Sequence, residues 1–182
     1  MKHELKTGTV LISKPFMEDK RFEKTIILIA ENTTEGVIGF ILNKNISNDI
    51  RVVVELFPDF NLKTKYGGPV DHKNSLFFMH RYPDLINGSK QLKDGVFWGG
   101  EIQDVEQGLK SGEISEKEIV FFMGYTGWEK NQLMDEIEDG SWIIHDMNLN
   151  KFNQEIDWSS ILIEINKEYE VWATAPSDFH LN

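Results

Sequence analysis

The chain has 182 residues, 40% of them hydrophobic and 12% aromatic, with no cysteine and a formal net charge of −11. That length fits one domain with a substantial core, so a single domain over residues 1–182 is expected. Disulfides, thiolate metal sites and cysteine nucleophiles are excluded, and no apolar run approaches the roughly 18 residues of a bilayer span.

The first segment, Met1 to Lys6, is polar and lacks the apolar stretch of a signal peptide, so the expected compartment is the cytoplasm. Thr9-Val10-Leu11-Ile12 reads as a strand closed by Pro15, and Thr25 to Ala30 as a second, apolar enough to be covered on both faces. Gly36 to Asn43 reads as a third, joined to the second through the turn-rich Asn32 to Glu35 as a hairpin. Its glycines predict a bend, a bulge or a close contact. Asn48 and Asp49 are placed to cap a helix over Ile50 to Phe57, whereas Val52-Val53-Val54 favours a strand.

Ser75 to Tyr82 and Gly95 to Trp98 read as further strands, and Ile102, Val105 and Leu109 as one face of a helix that stops at Gly112. Ile119 to Met123 is a short apolar run of β-branched and aromatic residues, a buried strand. Gly124 and Gly127 bracket its exit. Thr126 and Glu129 then stand at capping-box spacing, which predicts a helix with Trp128 in its first turn and Leu133 and Ile137 facing inward. Gly140 is placed to end that helix in the left-handed conformation. Ser141 to Ile144 reads as a strand. Trp158, Ile161, Leu162, Ile165 and Tyr169 keep the rhythm of a last amphipathic helix, with an irregular tail from Ala173. The pattern is α/β of the α+β kind: a mixed sheet, partly antiparallel, with helices packed against it.

Four ordered blocks carry a resemblance. They are Gly8 to Pro15 with Asp19, Phe22 and Thr25; Gly36 to Lys44; Gly67-Gly68-Pro69-Val70 with His80; and Gly124-Tyr125-Thr126-Gly127-Trp128 with Gln132, Leu133, Glu136 and Trp142. In this order and spacing the chain resembles the YqgE/AlgH family of bacterial proteins nearly end to end. The resemblance implies a strongly bent, barrel-like mixed sheet flanked by helices. It also implies a label of transcriptional regulator, which some members carry through a genetic association with exopolysaccharide control. At Trp98-Gly99-Gly100-Glu101 the chain departs from the family, where a Ser/Thr-rich turn is expected.

Charge is unevenly spread: residues 1–91 carry +2 and residues 92–182 carry −13. An acidic half disfavours direct DNA binding, which rests on phosphate neutralisation. Of His3, His72, His80, His145 and His180, none forms a close metal-ligand pair, so no metal and no cofactor is expected. Asp71-His72 has the composition of an acid–base pair, but neighbours in extended chain point to opposite sides. The serines lack a G-x-S-x-G elbow. The crowded carboxylates Asp135, Glu136, Glu138 and Asp139 read as a solvated face, and Trp172 as the tryptophan best placed for an interface.

Two readings remain. The first is a non-catalytic regulatory or binding protein for an unknown small ligand or protein partner, with a pocket drawn from Asn43, Gly67, Gly68, His80, Gly124, Tyr125, Gly127 and Trp128. The alternative is a small-molecule hydrolase using His80 or Asp71/His72 in a cleft near Gly67-Gly68. Convergence of those residues on one concave site is what the first reading expects.

Overall fold

Covering an apolar strand on both faces requires layers, and the chain builds them. The computed structural model describes residues 5–46, 51–71, 73–129 and 131–174. Strands β1 (Val10–Ser13), β2 (Ile26–Asn32) and β3 (Val37–Ile41) form an antiparallel meander. The expected hairpin joins the last two, closed by paired backbone hydrogen bonds between Thr33 and Gly36, and its register slips between Ile29 and Glu31. β10 (Trp142–His145) flanks β1 and β9 (Thr126–Trp128) flanks β3, giving the order β10-β1-β2-β3-β9.

The second sheet holds β4 (Thr64–Tyr66), β5 (Leu76–His80), β6 (Lys90–Gln91), β7 (Phe97–Trp98) and β8 (Ile119–Met123), in the order β4-β8-β5-β7-β6. Its β4–β8 pair is parallel and its other pairs are antiparallel. Neither sheet closes on itself, so the barrel-like form is replaced by two open five-stranded sheets. The reason lies in the alternation along β1 to β3. Val10, Ile12, Leu28 and Phe40 point at Val120 and Phe122 of the second sheet, while Leu11, Ile27 and Ile41 point away from it. Two apolar faces per strand favour a stack over a closed ring.

Helices cover the outer faces. α3 (Gln132–Glu138) lays Leu133 on the first sheet with Trp128 and Trp142. α1 (Arg51–Leu56) and α2 (Ile102–Ser111) cover the second through Val53, Phe57, Val105 and Leu109. The α1 segment is helical despite its three valines, because Val53 and Phe57, four apart, reach one core; Asn48 and Asp49 lie outside the described residues. α4 (Trp158–Ile165) and α5 (Glu170–Ala173) close the end of the central core. Asp157 caps α4, and Trp158 donates its indole N–H to Ser13 O at 2.9 Å. The single last helix expected to run through Tyr169 is interrupted at Asn166, whose extended backbone caps a short 3-10 turn. None of the helices among the described residues is long and apolar enough to cross a membrane.

The Gly124–Trp142 segment differs from its expected form at one end only. Thr126–Trp128 is a strand paired with β3 rather than a helix start, and α3 begins at Gln132 after Asn131. Thr126 and Trp128 are both buried, at 0% and 5% exposure, so strand pairing and burial outweigh the local capping pattern. The stop is as expected. Gly140 has φ +81°, with Gly140 N–H bonded to Ile137 O and Ser141 N–H to Glu136 O, a Schellman closure.

Segment 149–155 crosses the second sheet and is fastened by cations to backbone carbonyls. Arg81 reaches Asn150 O, Lys63 reaches Asn153 O and Lys65 reaches Gln154 O, at 2.9, 3.0 and 3.1 Å.

Candidate functional site

The residues expected to form one pocket occupy four places. Asn43 accepts from Ile26 N–H and donates to Lys24 O, at 2.8 and 2.9 Å, which ties the entry of β2 to the exit of β3. It borders a shallow hollow of about 420 Å³ with Lys44 and Tyr66. Tyr125, Gly127 and Trp128 border a second hollow, about 490 Å³, together with Glu31 and Glu35. Trp128 turns its indole N–H away to Glu136.

Gly67 and Gly68 do meet Gly124 and Tyr125, through backbone alone. A Cβ on Gly67 would stand 2.1 Å from Gly124 O, and one on Gly68 2.2 Å from the Tyr125 carbonyl carbon. Val70 and Tyr125 bridge the same junction. These glycines are therefore explained by two chain segments packed backbone to backbone.

His80 is fully buried on β5. Its Nδ1 accepts Tyr82 N–H and its Nε2 faces Gly99 O, both at 3.1 Å. A carbonyl partner requires a proton on Nε2, so the ring is neutral with both nitrogens committed. Burial pushes its pKa below the ordinary imidazole value. A ring held this way has no free nitrogen for a substrate. Asp71 accepts from Asn74 and from the Ser75 hydroxyl, ordering the turn before β5; His72, with His3 and His180, lies outside the described residues. His145 sits half-buried on β10.

Glu136, read as part of a solvated face, instead accepts three hydrogen bonds. They come from Trp128 Nε1 at 2.9 Å, Trp142 Nε1 at 2.8 Å and Gln132 Nε2 at 2.9 Å. Trp172 stacks edge-on against Phe16 at 5.0 Å. Among the described residues no cluster of His, Asp and Glu is placed to hold a metal ion.

A further concavity contains none of the expected residues. A cleft of about 830 Å³ opens between the segment leading into β4, the end of α2 and residues 153–154. Phe60, Leu109 and Ile114 are apolar side chains of its wall, and Lys63, Lys117 and Asn153 are polar ones. Asn153 donates to Lys117 O at 2.6 Å, while its own Oδ1 is buried and accepts no hydrogen bond among the described residues.

Lys65 lies behind this wall. It is fully buried, with Nζ donating to Leu42 O at 2.6 Å and to Gln154 O at 3.1 Å. Burial pushes its pKa down to about 8; the neighbouring Lys63 lowers it further and Glu155 opposes both. Lys63 itself holds Glu155 at 2.6 Å. The only trace of this region in the sequence is the pair Lys63 and Lys65, two apart beside Gly67-Gly68.

A profile described as AlgH-like matches residues 10–170. A protein of Cytophaga hutchinsonii is 33% identical over 181 residues, covering 98% of this chain and all of the relative, and one of Chlorobium luteolum is 34% identical over 175, covering 94% and 92%. Both are named UPF0301 protein. Among solved structures, the AlgH protein from Pseudomonas aeruginosa aligns over 98% of this chain and 100% of its own, with TM-score 0.69 and 22% identity. Protein DIP2367 from Corynebacterium diphtheriae aligns over 96% and 95%, with TM-score 0.73 and 20% identity. At those identities the two structures establish a shared fold.

Proposed function

The chain belongs to the AlgH-like family, and from that premise we propose that it is a non-catalytic binding protein whose small ligand occupies the cleft beside β4. The observation that carries the reading is the cleft itself. At about 830 Å³ it falls in the range of ligand pockets, and it joins an apolar wall to a few convergent polar groups. Support also comes from His80, whose two nitrogens are both spent on backbone partners. In this reading any regulatory effect passes through the ligand or a protein partner. Direct DNA contact is disfavoured by the −13 carried by residues 92–182.

The test is a thermal-shift screen of small metabolites against the wild-type chain and Asn61→Trp, which plants an indole at the cleft mouth. A ligand that prefers the native state raises the melting temperature. The expected result is a set of compounds that stabilise the wild type and leave Asn61→Trp unchanged. Compounds that stabilise both chains equally would remove the cleft from consideration.

A further inference from the structure

We infer that the cleft selects a small organic anion with an apolar body, its charged group held by Lys63 and Lys117. This assignment rests on the binding role proposed above and adds the chemical class of the ligand. The charges on the cleft wall run against the rest of the molecule. The chain carries −11, yet two lysines and one carboxylate line the cleft. That carboxylate, Glu116, is already turned to the Asn61 backbone N–H at 2.8 Å. Lys65, buried behind the wall, adds positive potential from a site that solvent screens poorly.

The wall also carries apolar side chains, the half-buried Phe60 with Leu109 and Ile114. A ligand matching both kinds of group has a charged end and an apolar body. Asn153, whose Oδ1 has no hydrogen-bond partner among the described residues, also lines the cleft.

Lys63 already holds a carboxylate, and this makes the class testable. Glu155 Oε1 stands 2.6 Å from its Nζ, on a side chain 65% exposed to solvent. An exposed pair of this kind is weak. Glu155 thus acts as an internal competitor for the ammonium that an entering anion requires. Removing its charge strengthens anion binding, and removing the lysine charge weakens it.

The probe is anilinonaphthalene sulfonate, an aromatic anion with an N–H donor, compared by fluorescence titration with phenylnaphthylamine, which lacks only the sulfonate. The anion is expected to bind saturably and about tenfold more tightly than the neutral dye, as one charge-assisted contact implies. Lys63→Gln removes about that tenfold preference, Lys63→Arg keeps it, and Lys117→Gln, at an exposed position, lowers it about threefold. Glu155→Gln tightens the anion and leaves the neutral dye unchanged. Asn61→Trp abolishes binding of both dyes, with an unchanged circular dichroism spectrum. Equal affinity for the two dyes, or a preference indifferent to Lys63→Gln and Glu155→Gln, overturns the anion assignment while Asn61→Trp still reports on the cleft. Dye binding that survives Asn61→Trp overturns the cleft itself.

Discussion

Replacing Lys65 by methionine removes a buried charge while keeping most of the stem's volume, and its effect is expected to depend on pH. The ammonium is fully buried, with two backbone carbonyls as its hydrogen-bond acceptors, and its pKa in the folded protein is about 8. In the unfolded chain the same group titrates near 10.5. Between these values the unfolded state binds more protons, so the wild type gains stability as pH rises. Linkage from pH 7 to pH 10 amounts to about 2.5 kcal/mol. The measurement is urea unfolding of wild type and Lys65→Met at intervals across that range. Taking the difference between the chains cancels Lys44 and Tyr66, which titrate in both. Relative to the variant, the wild type is expected to become more stable by about 2.5 kcal/mol across the window. A flat or falling difference would refute the claim that Lys65 is charged, buried and poorly compensated at neutral pH.

Three further outcomes follow from the geometry. Glu136→Leu strands two indole N–H groups and is expected to cost about 3 kcal/mol in chemical denaturation, with a changed tryptophan emission; a loss below about 1 kcal/mol contradicts the shared-acceptor role. Gly67→Ala forces a methyl to 2.1 Å from Gly124 O and is expected to cost about 3 kcal/mol; Gly112→Ala, in open space, is expected to cost about 1 kcal/mol from its positive φ alone, so equal melting points for the two argue against backbone contact. His80, neutral and depressed in pKa, lowers stability as pH falls below the ordinary imidazole value of 6.5, because the unfolded state then takes up the proton first. A proton–nitrogen NMR correlation is expected to place its proton on Nε2, and a ring charged at pH 6.5 would contradict the assignment.

What was legible in the sequence was whatever a short stretch decides by itself. The β2–β3 hairpin and the Schellman stop at Gly140 depend on apolar runs and turn residues within a few positions of each other. Thr126 and Glu129 show the limit of that kind of signal. Their spacing writes a capping box, but Thr126–Trp128 pairs with β3, nearly ninety residues earlier, and no local pattern records that partner. Lys65 is harder still, since a lysine between Thr64 and Tyr66 reads as exposed. It is buried because Leu42 and Gln154, 23 and 89 residues away, bring their carbonyls to it. The cleft has the same origin, assembled from residues near 61, 115 and 153. The Gly67 and Gly124 blocks meet backbone to backbone, a contact between distant segments that no local pattern records.

The fastening of segment 149–155 has a consequence for how this protein can drift over generations. Arg81, Lys63 and Lys65 grip the carbonyl oxygens of Asn150, Asn153 and Gln154, and every amino acid carries such an oxygen. The gripped stretch is therefore free to change identity at Gln154, and at Asn150 with little loss, without slipping from its place. The three cations have no such latitude. Among AlgH-like chains, the clasp is expected to persist while the strand of chain inside it is rewritten.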